Sequence, residues 1–267
     1  MGLVGLASAK GSPGVSCLAV LLARCWSGPV LLVEADPAGG DLAARLGLAG
    51  EPNVTTLAIR ARTGIAADDI WGHSQHLAPR GRRGGSSARI VTGSIGPGEG
   101  WSLRPAWTAL VSALRQLPAT VLVDLGRCSP GEPLFQAVAP CADTAVVVVR
   151  ADLAAVSHAR ALAASWPPEV PPGVVVVGDT PYRPHDVARV TGLDLLGAVP
   201  HNRNAAEAEL LGQWGPGGRS LRRSVARLAD TLAARCDTAG AAPVPDASAP
   251  ARLPVGAEPP TTEEAGG

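Results

Sequence analysis

Four nearly unbroken apolar runs, Val30–Ala35 (VLLVEA), Thr120–Leu125 (TVLVDL), Thr144–Val149 (TAVVVV) and Val174–Val177 (VVVV), constrain what this chain can become. Runs rich in β-branched residues, without polar alternation, belong to strands buried on both faces. Helix-like segments stand between them at Gly14–Cys25, Asp41–Leu48, Trp107–Gln116, Ala151–Ser165 and His185–Val190. Further strands are expected at Leu3–Ser8, Arg89–Thr92 and Asp194–Val199. The pattern assigns no type to Val54–Arg62 or Ile65–Trp71. Strands alternating with helices require right-handed crossovers. The expected fold is therefore α/β: a mostly parallel twisted sheet with helices on both faces.

Charge narrows the function classes. The 23 basic and 23 acidic residues cancel, which argues against a surface built wholly for nucleic acid or anionic lipid. Five cysteines (Cys17, Cys25, Cys128, Cys141 and Cys236) form no CxxC pair and imply reduced thiols in a cytoplasmic protein rather than a disulfide framework. No apolar run is long enough to span a bilayer, and Lys10 with Leu18–Ala23 makes a poor secretory signal. The stretch Asp237–Gly267 is rich in Pro and Ala, carries five acidic residues against one Arg, and is expected to be disordered. The folded part is then 1–236.

The first strand runs into Lys10-Gly-Ser-Pro-Gly-Val-Ser-Cys17 and then a helix. Backbone N–H groups converge on an anion in such a loop, and the helix dipole favours negative charge there. A P-loop reads GxxxxGK[ST], and here Val15 stands where its Lys belongs. Lys10 is also the only lysine among 23 basic residues, in a chain that otherwise writes Arg.

The loop resembles the deviant Walker A motif KGGxGK[ST][ST] of the ParA/MinD family of P-loop ATPases. Further segments resemble family motifs in the same order. They are Val30–Gly39 (VLLVEADPAG) with Asp36, Thr120–Leu125 with Asp124, Cys141–Arg150 (CADTAVVVVR) and Leu196–Ala208 (LGAVPHNRNAAEA). The resemblance covers roughly 1–235. It implies ATP and Mg²⁺ as cofactors, with Gly11, Ser12, Gly14, Val15, Ser16 and Cys17 around the phosphates. Pro200 and His201 would lie at the adenine, and Ser16, Asp36 and Asp124 around the metal. Lys10, Asp36 and Asp124 would carry the chemistry, with Lys10 reaching a partner's phosphates across a nucleotide-sandwich homodimer.

Three departures qualify this. Val15 removes a charge that steadies the β- and γ-phosphates, so hydrolysis is expected to be slow or absent, with binding left to backbone N–H groups. A small apolar residue here is similar to the TadZ/CpaE branch that localises pilus machinery. Glu34 replaces the first Asp of a DxD pair, and the base-specifying Asn has no counterpart near Gly178 and Asp179. The favoured expectation is a dimeric spatial switch that positions an envelope machine through a protein partner, which recruits it to the inner face of the plasma membrane. The alternatives are a chromosome- or plasmid-partition or division-site ATPase, a non-binding pseudo-ATPase scaffold, and an amide-forming synthetase, which Val15 disfavours.

Other constellations are weaker. The five histidines are scattered without metal-ligand spacing, and Asp68-Asp69 reads as a helix start. Arg219–Arg235 places Leu221, Val225, Leu228 and Leu232 on one helical stripe and Arg219, Arg223 and Arg227 on another. Docking on the core with a solvated basic face is the plain reading. A DNA patch, joined by Arg80, Arg82, Arg83 and Arg89, is the less favoured one. Nothing resembles a terminal membrane-binding helix, so no direct membrane anchor is expected.

Overall fold

The computed structural model describes residues 1–10, 13–77, 88–94, 104–211, 213 and 216–239. Among these residues eight strands form one sheet in the order β3-β4-β2-β5-β1-β6-β7-β8. They are β1 (Leu3–Ser8), β2 (Val30–Glu34), β3 (Gln75–His76), β4 (Ala88–Val91), β5 (Thr120–Arg127), β6 (Thr144–Arg150), β7 (Gly173–Val177) and β8 (Asp194–Val199). Every pairing is parallel except that of β3 with β4, a two-residue edge the sequence pattern did not reveal.

Alternate residues of each buried strand feed opposite layers, the period of two made physical. Leu31 and Val33, Val121 and Val123, and Val147 and Val149 face one layer. That layer is roofed by α3 (Val54–Ala61), α5 (Arg104–Leu114), α6 (Pro133–Val138) and α7 (Leu153–Ala163), with α4 (Ala67–His73) and α8 (Pro184–Thr191) beside them. Leu32, Leu122, Val146 and Val175 face the other. There they meet α1 (Val15–Cys25), α9 (Arg203–Leu211) and α10 (Arg219–Ala239), with the short α2 (Leu42–Leu46) at its margin.

Local chemistry sets the helix ends. Asn53 caps α3 by accepting from the N–H groups of Thr55 and Thr56 at 2.9 and 3.1 Å. Asp152 caps α7 through Ala155 N–H at 2.9 Å. Val54–Arg62 and Ile65–Trp71 are thus largely the helices α3 and α4, and Asp68 and Asp69 occupy the first turn of α4. The terminal helix runs three residues past the expected boundary, to Ala239. The remainder of the expected tail, and the Arg/Gly loop Pro79–Ser87, lie outside the described residues.

The terminal stripe is as expected, with Leu221, Val225, Leu228 and Leu232 buried. Of the basic residues beyond that helix, only Arg89 lies among the described residues. Arg89 spends its guanidinium on the carbonyls of Trp71 and Ser74, the Ser74 hydroxyl and His76. It pins α4 to the sheet edge, while Arg80, Arg82 and Arg83 fall outside the described residues. Among the described residues no helix is long and apolar enough to cross a membrane.

Candidate functional site

β1 and β5 are neighbours whose crossovers leave in opposite directions, β1 toward β2 and β5 toward β6, which opens a crevice beyond their carboxyl ends. The loop after β1 sits there. Gly14 precedes α1 in the left-handed region at φ 90°, which a glycine reaches without strain, and its carbonyl accepts from Leu18 N–H at 2.8 Å. Lys10 is exposed, and Ser16 and Cys17 are half-buried on the first turn of α1. Val15 is buried in the apolar layer beneath, so no charge enters at that position. Burial pushes the Cys17 thiol up to about 11, which keeps it an uncharged packing group. Two of the expected loop residues, Gly11 and Ser12, lie outside the described residues.

Three carboxyl groups gather beside this loop, contributed by β2, the turn after it and β5. Asp124 is fully buried. Its Oδ1 accepts from Gly126 N–H at 2.9 Å, and its Oδ2 has no hydrogen-bond partner among the described residues. Burial raises its pKa to about 7, and the charges of Glu34 and Asp36 push the same way. The Ser16 hydroxyl and Gly126 N–H draw it back. Asp36 accepts from Ala38 N–H at 2.8 Å and from Arg127 N–H, while burial raises its pKa. Gly126, at φ 56°, lies so close to Asp36 that a β-carbon there would overlap the carboxylate.

Glu34, in the place of the first Asp of the DxD-like pair, meets backbone donors. Its Oε1 accepts from the N–H groups of Asp41 and Leu42 at 2.9 and 3.0 Å, and its Oε2 from Gly93 N–H at 2.7 Å. Both oxygens are thus committed to backbone. The carboxylate clasps the β2–α2 loop to the segment after β4, where Gly40 N–H also reaches the Ser94 carbonyl at 2.7 Å. A β-carbon on Gly93 would stand 2.8 Å from the Gly40 Cα, so both glycines are required by packing.

The expected base end lies further along the same edge. Pro200 and His201, after β8, line a cavity of about 480 Å³ with Arg150, Asp152, Gly178 and Asp179. Gly178 N–H bonds the Val199 carbonyl at 2.9 Å, which joins the ends of β7 and β8 at its floor. Arg150 stands 3.9 Å from Asp152.

The orphaned Oδ2 of Asp124 tests whether a cation fits. A buried carboxylate oxygen without a donor is costly unless protonated or paired with a cation. Beside the Ser16 hydroxyl it suits a small hard cation such as Mg²⁺. Among the described residues no group of three or more His, Cys, Asp or Glu is placed to hold a metal by itself. A cation here would need oxygens from a bound phosphate. Sequence reasoning missed Arg127, Arg150 and Asp152; their one visible signal is a charge ending, or following, an apolar strand.

Neither a protein-family profile nor a curated protein sequence matches this chain. Solved structures do. A ParA family ATPase from Chlorobium tepidum superposes with a TM-score of 0.71 at 19% identity, covering 86% of this chain and 98% of that one. The cell division ATPase MinD of Pyrococcus furiosus gives 0.69 at 14%, covering 88% and 99%. An ATP complex of Cyanothece McdA(D38A) gives 0.64 at 15%, covering 87% and 96%. This protein has the P-loop α/β fold of the MinD and ParA ATPases.

Proposed function

We propose that the protein binds Mg·ATP and acts as a ParA/MinD-type dimeric switch, whose nucleotide-bound form positions an envelope machine such as a pilus or secretion apparatus through a protein partner. One observation carries the reading: the chain's single lysine, exposed, precedes a glycine loop beside a buried carboxylate with an unpartnered oxygen. Phosphates would rest on loop N–H groups and the α1 N-terminus. Ser16 and Asp124 would hold Mg²⁺, which when bound neutralises phosphate charge. Asp36, held by Ala38 and Arg127 N–H, would orient water and hold its proton. Lys10 would act on the partner's nucleotide. The fold supports the reading, as does the McdA neighbour, which is an ATP complex.

The positioning role, and placement in the TadZ/CpaE branch, rest on Val15 and zero net charge. Val15 also favours slow turnover. Its burial supports a second reading, a scaffold that binds no nucleotide. Calorimetric titration with Mg·ATP, paired with thermal melts, separates the two: saturable heat and a raised melting temperature are expected. Neither appearing at millimolar Mg·ATP would leave the scaffold.

A further inference from the structure

The site has a charge problem. Glu34, Asp36 and Asp124 stand together, Val15 is apolar, and a nucleoside triphosphate brings several more negative charges. Lys10, on the reading above, acts on the partner's phosphates. Within one subunit the loop itself then supplies no fixed cation.

β5 ends on an arginine at this place. Arg127 pairs in register with Ser8, the last residue of β1 before the loop, beyond an irregularity that separates it from the Leu6–Asp124 pair. Its position is held from several sides. Cys128 N–H donates to the Ser8 carbonyl at 3.1 Å, the Ser8 hydroxyl donates to the Gly126 carbonyl at 3.3 Å, and Arg127 N–H bonds the Asp36 carboxylate. The backbone is thus tied to β1 and to Asp36, while the side chain is exposed. Its guanidinium makes no hydrogen bond or ion pair among the described residues. On the other flank of β1, Arg150 at the end of β6 has Asp152 for company.

We propose that Arg127 supplies, from the neighbouring strand, the fixed positive charge toward the terminal phosphate of a bound nucleoside triphosphate that Val15 cannot supply from the loop. The inference rests on the nucleotide-binding reading. Arginine suits the task because its guanidinium stays charged beside carboxylates and its fork of donors matches phosphate oxygens. Its exposure means that the ligand, not the fold, completes its contacts. The anchored backbone N–H couples its position to Asp36.

The test compares Mg·ATP, Mg·ADP and AMP binding, by calorimetry, for wild type, Arg127→Ala, Arg127→Lys and Arg62→Ala, the last an exposed arginine at the end of α3. Arg127→Ala is expected to weaken ATP about tenfold or more, the scale of one charge-assisted contact, and ADP clearly less, with AMP unchanged. Arg127→Lys should recover part of the loss, and Arg62→Ala none of the effect. Melting temperatures without nucleotide should stay together, since the side chain is exposed. ATP binding by Arg127→Ala equal to wild type, or an equal loss for all three nucleotides, overturns the inference and leaves the nucleotide reading standing. No binding to wild type by any nucleotide sinks that reading and the inference with it.

Discussion

A carboxyl group shut away from water holds its proton until a cation takes the proton's place. Asp124 is in that position, its pKa raised from 3.8 to about 7 by burial and by its acidic neighbours. Between those values the unfolded chain releases a proton that the folded chain retains. Stability conferred at this site therefore falls as pH rises from about 4 to about 7, and stays low above. Asp124→Asn should melt higher than wild type at pH 8, and the difference should close toward pH 4, as thermal melts across that range would show. A wild-type advantage at pH 8 without Mg²⁺ would contradict the assignment. Glu34 is raised by burial too, but three backbone donors draw its pKa back and hold both its oxygens. Glu34→Ala strands the buried N–H groups of Leu42 and Gly93, and should cost about 1–3 kcal/mol for each unpaired group. Gly93→Ala, which forces a β-carbon against Gly40, should cost about 1–3 kcal/mol by overpacking. Urea unfolding midpoints measure both, and unchanged midpoints would show that the clasp is not needed.

At the scale of elements, α10 shows how far an amphipathic pattern carries. Leu228 is 2% exposed and lies over Gly197 of β8, so Leu228→Ala should lose about 2–5 kcal/mol in urea unfolding. Arg223 and Arg227 are exposed, and the double change to Ser should stay within about 0.5 kcal/mol. A larger loss would mean that the basic face is structural. The same contrast explains what the sequence made legible. β1 and β8 begin and end where the apolar pattern put them, although β1 is buried throughout and β8 is a half-exposed edge strand. β3 stayed hidden because two residues carry no period and their pairing with β4 is a long-range event. α6 was masked by its short length and by the Pro and Gly that introduce it. At the site, the loop, Asp36 and Asp124 were readable as a motif. The clasp made by Glu34 was not, since its partners are backbone groups at Asp41, Leu42 and Gly93, which no side-chain pattern encodes. Arg127 was missed for a similar reason: only strand pairing places it beside Ser8.

For the whole molecule, the proposed switch needs a surface that changes when nucleotide arrives, and the carboxyl edge of the sheet offers one. Lys10 is exposed there at the mouth of the loop, and is the only lysine in a chain with 22 arginines. An ammonium on a thin stem can enter a crowded phosphate site where a planar guanidinium would not fit. If it meets a partner's phosphates, its charge matters only when nucleotide and second subunit are both present. Lys10→Ala should then leave the melting temperature of the free protein unchanged and preserve weak Mg·ATP binding, while abolishing ATP-dependent dimerisation. Lys10→Arg should fail to dimerise as well, which separates shape from charge. Arg127→Ala should differ from both by losing affinity in the single subunit, so the two cations can be told apart in one set of samples. Sedimentation velocity with and without saturating Mg·ATP decides the matter. A wild-type protein that stays monomeric with bound ATP, or a Lys10→Ala protein that dimerises as wild type does, would show that nucleotide does not drive this chain together through Lys10.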